Sequence, residues 1–160
     1  MKKVTRRGKL LSQNILEPTT SVGAAKMFME RRLEEGTACP VCEQYAKAYR
    51  RKLNSGMALA LVTMYRSSGT SWCRRTAVLR DLPTSAHDNT LLHHWGLFER
   101  GEESGWWRVT RHGRDFVLNE IEVPKFAVVY NNKLVRLEGP WIDIHHALGD
   151  RFSLDELMGA

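Results

Sequence analysis

The sequence predicts an α+β protein, with a helical core closed by a β-hairpin, an N-terminal helix ahead of it and a C-terminal extension of a β-hairpin and short helices. Three observations predict it. Apolar residues recur at steps of three and four across residues 21–35 and 43–66, which is the helical period. Residues 89–121 read as helix, hairpin, helix, with Gly96 where a helix end takes a left-handed residue and the 101–105 turn between two β-prone arms. Two further β-prone runs, 126–130 and 134–137, meet across Asn131-Asn132-Lys133, a sequence suited to the positive dihedrals of a tight hairpin.

Length and charge bound the function. A chain of 160 residues suits one domain with appendages and can bury a real core. The formal charge of +6 leans toward an anionic partner. No run approaches the roughly twenty apolar residues that span a bilayer, and the start MKKVTRRGKLL lacks the apolar stretch of a signal peptide. A cytoplasmic protein with no membrane partner is expected. Three cysteines do not make a secreted disulfide framework.

The domain reading has three parts. Residues 1–20 form a basic flexible arm carrying Lys2, Lys3, Arg6, Arg7 and Lys9, either a solvated tail or a reach toward phosphates. Residues 21–122 hold the core with its N-terminal helix and a Cys-x-x-Cys knuckle. Residues 123–160 hold the C-terminal hairpin and short helices.

In order along the chain, Thr20 or Ser21 caps a helix over 21–35 that Gly36 stops. Cys39-Pro40-Val41-Cys42 has the spacing that lets two thiolates face one ion, so Cys39 and Cys42 are candidate ligands of a structural zinc, with the other two ligands open. A pair of idle thiols is the competing reading. The 43–66 pattern predicts the longest helix, its stripe running through Tyr45, Tyr49, Leu53, Met57, Leu61 and Met64. A short strand over 72–75 and a helical turn ended by Pro83 follow. Thr84 and Ser85 then cap a helix running to Trp95, whose Leu91, Leu92 and Trp95 face inward. At a hundred degrees per residue, Ala86, Thr90 and His93 face outward and Asn89 and His94 lie at the flanks. Thr110 caps the helix after the hairpin, and Phe116, Val117 and Ile121 pack back on it. Pro124 opens the last hairpin, Gly139-Pro140 closes it, and short helices end the chain with Gly149 between them.

The run Trp95-Gly96-Leu97-Phe98-Glu99, then Trp107-Arg108-Val109-Thr110 and Gly113-Arg114, resembles the closing pattern of the winged-helix family. The resemblance implies that the helix before the hairpin reads a DNA groove and that the hairpin is the wing. It makes Ser85, Asn89, Thr90, His93 and His94 candidate groove contacts, with Arg74, Arg75, Arg80, Arg108 and Arg111 at the DNA backbone. Arginine and lysine are missing from the reading helix, and the wing tip carries Glu102 and Glu103, which phosphates repel. The blocks Cys39-Pro40-Val41-Cys42, Tyr49-Arg50-Arg51-Lys52-Leu53-Asn54-Ser55, His94-Trp95-Gly96-Leu97 and Val123-Pro124-Lys125 are also similar to small bacteriophage-encoded proteins. Together these imply a dimeric phage or prokaryotic transcription regulator that binds double-stranded DNA. The alternative is a phage protein that uses the same scaffold to grip a host protein. His93-His94 and His145-His146 have no nucleophile elbow, phosphate loop or metal motif beside them, so an enzyme is not expected.

Overall fold

The computed structural model describes Leu16 and residues 19–159. The basic arm expected over 1–20 therefore falls almost wholly outside the described residues. The protein is α+β, built of short helices and antiparallel strands. Its residues divide into two compact units, one running to Arg50 and including 128–135, the other made of 51–127 and 136–160. The strands of the last hairpin contribute residues to both.

In the first unit, helix α1 (Val22–Glu30) starts where the Ser21 hydroxyl accepts a hydrogen bond from the Ala24 N–H at 3.2 Å. Turns carry the chain from there to Gly36, which has φ of +88°, so the helix is shorter than the apolar pattern predicts. Strands β1 (Thr37–Ala38) and β2 (Tyr45–Ala46) pair antiparallel, with Thr37 opposite Ala46, and the cysteine knuckle is the loop between them. Leu33, Ala46, Ala48 and Val128 form the unit's small core, with Met29 and Tyr130 against it.

Residues 43–54 depart from the helix expected there. They hold β2 and then β3 (Tyr49–Lys52), and the long helix α2 runs only over Ser55–Ser68. The physical reason is the cap at Asn54, whose side chain accepts from the Met57 N–H at 2.9 Å while Asn54 itself is extended. Upstream, the Leu53 N–H donates to the Lys125 carbonyl at 2.9 Å, so this backbone serves a sheet. Tyr45, Tyr49 and Leu53 lie four apart, which satisfies a helical stripe and also a strand's same-face period of two.

The second unit is organised on α2. Its residues from Gly56 to Val62 are all buried, and it packs chiefly against a 3₁₀ helix spanning Thr84–Trp95. Between them come β4 (Cys73–Arg74) and one turn of helix, α3 (Arg75–Val78). The 3₁₀ helix ends at Gly96, left-handed at φ 70°, as its position in the sequence predicts. Strands β5 (Phe98–Arg100) and β6 (Trp106–Val109) make the expected hairpin, and β4 pairs with β6, giving the order β4-β6-β5. Helix α4 (Arg111–Val117) follows, capped by the Thr110 hydroxyl accepting from the Gly113 N–H at 2.9 Å.

The last sheet has the order β3-β7-β8, with β7 at Val123–Tyr130 and β8 at Lys133–Ile142. Asn131 and Asn132 both take positive φ, as the turn between these strands requires. Gly139-Pro140 does not close the hairpin as expected. Gly139 sits at φ 95° within β8, where a side chain would meet the Phe126 ring, and the strand runs on to Ile142. Two one-turn helices, α5 (Ile144–Leu148) and α6 (Leu154–Met158), end the chain on either side of Gly149. No helix among the described residues is long and apolar enough to cross a membrane.

Candidate functional site

The helix expected to read a groove is wound at three residues per turn, and this changes which side chains it shows. Ala86, Asn89, Leu92 and Trp95, three apart, form the buried row, at 1%, 4%, 0% and 3% exposure. Ala86 and Asn89, expected outside or at the flank, are therefore inside. The Asn89 amide is engaged at both ends, its Nδ2 donating to the Ala86 carbonyl at 2.5 Å and its Oδ1 accepting from Arg75 at 2.9 Å. It does not reach the surface. The outward row is Thr84, His87, Thr90 and His93, the first two exposed and the others half-buried. The His93 Nδ1 is 2.6 Å from the Thr90 carbonyl oxygen, which can only accept, so Nδ1 carries the proton and Nε2 remains for a partner.

His94 also leaves the surface, and Ser85 turns its hydroxyl inward. His94 is buried with no partner at Nε2, and its ring lies 3.9 Å from that of His93. Burial first, and the neighbouring His93 second, lower its pKa to about 4. Ser85 is half-buried with its hydroxyl oxygen enclosed.

The arginines separate into three roles. Arg75 points inward, its guanidinium 5.7 Å from the centre of the Trp107 ring and bonded to Asn89, and burial pulls its pKa down. It ties α3 to the 3₁₀ helix and is half-buried. Arg74 and Arg108 lie on the outer face of the three-stranded sheet. The register sets Arg74 opposite Trp106 and Glu99 opposite Arg108, and alternation along β6 puts both pairs on one face. Arg74 stands 5.4 Å from the Trp106 ring centre and Arg108 4.6 Å from that of Trp72. Arg108 also pairs with Glu99 at 2.6 Å, so part of its charge is compensated. The opposite face, Cys73, Phe98, Trp107 and Val109, is buried. Arg80 and Arg111 are exposed, Arg80 lying 3.7 Å from Asp81 with both side chains in solvent.

Sequence reading missed Trp72 and Trp106 as the platforms under the two outer arginines. The tryptophan-x-arginine alternation of Trp72-Cys73-Arg74 and Trp106-Trp107-Arg108 was the available signal, since residues two apart share a strand face.

The cysteine knuckle brings two thiols together in the loop between β1 and β2. The backbone N–H groups of Cys42 and Val41 address the Cys39 sulfur and hold its thiol below the ordinary cysteine range. Cys39 is half-buried and Cys42 exposed. Among the described residues, however, no group of three or more His, Cys, Asp and Glu converges. Two sulfurs are half of a tetrahedral zinc set. The consequence of the lowered Cys39 pKa is reactivity: iodoacetamide at neutral pH is expected to alkylate Cys39 well before Cys73. Cys73 is buried, with its thiol donating to the Trp107 carbonyl at 3.6 Å. Peptide mass mapping over time measures both rates, and equal rates would reject the ordering.

No protein-family model, no curated protein and no solved structure matches the chain. The protein is thus defined by its α+β fold and by this helix-and-sheet surface.

Proposed function

We propose that residues 55–117 form a winged-helix module and that the protein binds duplex DNA with it, as a transcription regulator of phage or prokaryotic type. One observation carries the reading: the strand between the first two helices pairs with the second hairpin strand, giving β4-β6-β5 after a helix, strand, helix, helix order. That is the strand order of a winged helix, and it supports the resemblance of the closing sequence pattern. The 3₁₀ helix then offers Thr84, His87, Thr90 and His93 to base edges, and Arg74, Arg80 and Arg111 are the exposed cations for phosphates. Arg108, held by Glu99 and Trp72, braces the wing. A single such module covers few base pairs, so two copies on a symmetric site are expected.

Binding to a random duplex pool across a salt series, followed by sequencing of the bound fragments, tests this. Thr90→Ala and His93→Ala are expected to change the selected sequence. Arg74→Ala and Arg111→Ala should weaken all sequences alike, each lowering the salt slope by about one. If all four variants bind as the parent does, this face is not the DNA site.

A second reading, a phage protein that grips a host protein, is favoured by the exposed acids Asp88, Glu102 and Glu103 on the same helix and wing. Absence of DNA binding at low salt, with a stoichiometric partner lost on Glu102→Lys and Glu103→Lys, would select it.

A further inference from the structure

Away from the helix-and-hairpin surface, the second unit contains a cavity of about 210 Å³ with a one-signed lining. Lys52, Lys125 and Arg151 border it together with His146, and Asn54 and Ser55 supply neutral polar groups. No carboxylate is among its lining residues. The nearest acids in sequence, Glu122, Asp143 and Asp150, are not part of the wall, and the Asp143 carboxylate is occupied in capping α5, accepting from the His146 N–H at 2.7 Å. The lining also includes two buried apolar side chains, Leu53 and Leu148, each 1% exposed. The chain brings these cations together from three separate places: the end of β3, the start of β7 and the turn after α5.

Placing like charges together costs free energy unless something of opposite charge joins them. The polar contacts now holding them are long and weak, Lys125 Nζ to His146 Nε2 at 3.5 Å and Arg151 to the Ser55 hydroxyl at 3.5 Å. Each can be exchanged for a shorter, charge-assisted bond to an anion. The cavity opens beside the amino end of α2, a helix of 14 residues with no acidic side chain in its first turn, so the helix dipole adds to the same positive field. At about 30 Å³ per water, the space corresponds to about seven waters, enough for a tetrahedral oxyanion and the group that carries it.

We propose that this cavity is a binding site for a phosphate group, gripped by Lys125 and Arg151 with Lys52 at its rim. The proposal is independent of the DNA-binding reading, because none of the residues of the 3₁₀ helix or the wing lines the cavity.

Calorimetric titration of the full chain with inorganic phosphate, at ionic strength held constant with chloride, is the test. Saturable binding of one equivalent is expected, and Lys125→Ala and Arg151→Ala should each weaken it about tenfold, as loss of one charge-assisted contact implies. Arg100→Ala, at an exposed residue at the end of β5 that is not part of the lining, should bind as the parent does. Lys125→Met and Arg151→Gln, with unfolding temperatures measured alongside, separate loss of the site from loss of the fold. No saturable binding by the parent, or unchanged binding in both variants, would overturn the proposal.

Two further probes identify the source of the phosphate. A nucleoside 5′-monophosphate that binds more tightly than inorganic phosphate points to a small molecule. A short 5′-phosphorylated duplex that outcompetes its unphosphorylated twin points to a polynucleotide end. Duplex binding that ignores both the terminal phosphate and the Lys125 variant counts against this cavity while leaving the DNA-binding surface standing.

Discussion

Gly56→Ala is expected to destabilise the second unit by about 3 kcal/mol, lowering the unfolding temperature by roughly 6–12 °C. On helix propensity alone the change should stabilise, since alanine is better than glycine in a helix by about 1 kcal/mol. Packing reverses the sign. A methyl group at residue 56 would sit on the carbonyl of Ser85 and against the Ala86 nitrogen, which belong to the first turn of the 3₁₀ helix. These are backbone atoms, and they cannot swing away as a long side chain could. The 3₁₀ helix must therefore move off α2, and its buried row of Ala86, Asn89, Leu92 and Trp95 moves with it. Gly23→Ala supplies the contrast. That glycine lies exposed in α1 with only the Ser21 hydroxyl near its missing side chain, at 4.0 Å, so alanine should stabilise by up to about 1 kcal/mol. Chemical denaturation of the two variants reads both signs. An unfolding temperature for Gly56→Ala at or above the parent's would mean that α2 and the 3₁₀ helix do not meet at this glycine.

The same contact explains what the sequence disclosed and what it concealed. Local signals were legible: Gly96 as a left-handed stop, Ser21 and Thr110 as caps, Asn131-Asn132 as a tight turn. Each is decided by the residue's own backbone or by a bond three residues away. The strand over 49–52 was hidden because its partner, Val123–Tyr130, lies some seventy residues on, and its Tyr49 also fits a helical stripe with Tyr45 and Leu53. The facing of the candidate helix was misjudged for a different reason. Residues 84–95 contain apolar positions compatible with either winding, and the choice of three residues per turn depends on tertiary packing against α2 at Gly56. Over a span of this length the difference of twenty degrees per residue moves Asn89 from flank to interior. The cation-lined cavity was invisible in the sequence because Lys52, Lys125 and Arg151 are each unremarkable alone and meet only through the sheet and α5.

Acid should loosen this helix by a specific route. His94 has a pKa of about 4 in the folded protein against an ordinary 6.5, chiefly because burial disfavours its charged form and secondly because of His93 beside it. The folded state therefore refuses a proton that the unfolded chain accepts. Above pH 6.5 both states are neutral at this group and its contribution to stability is complete. As pH falls below 6.5 the unfolded state is protonated first, and stability drains away until the folded His94 also titrates near pH 4. The gap between the two values corresponds to about 3 kcal/mol, a large share of the stability of an ordinary domain. Carboxylates change over part of the same range, so the comparison must be made against a variant that lacks only this proton. His94→Leu is suited to it: the Nε2 has no hydrogen-bond partner to lose, and the ring's surroundings are buried. The variant should match the parent near pH 7.5 to within about 1.5 kcal/mol. Between pH 7 and pH 4 the parent should lose about 3 kcal/mol more than the variant does, read from urea midpoints at each pH. Parallel curves for the two proteins would mean that His94 is solvated or hydrogen-bonded in the folded state. A difference of the stated sign has a consequence for function, because the helix that carries His94 also carries Thr90 and His93. Under the proposed DNA-binding reading, binding through that face is then expected to weaken over the same pH range in the parent and to hold up better in His94→Leu.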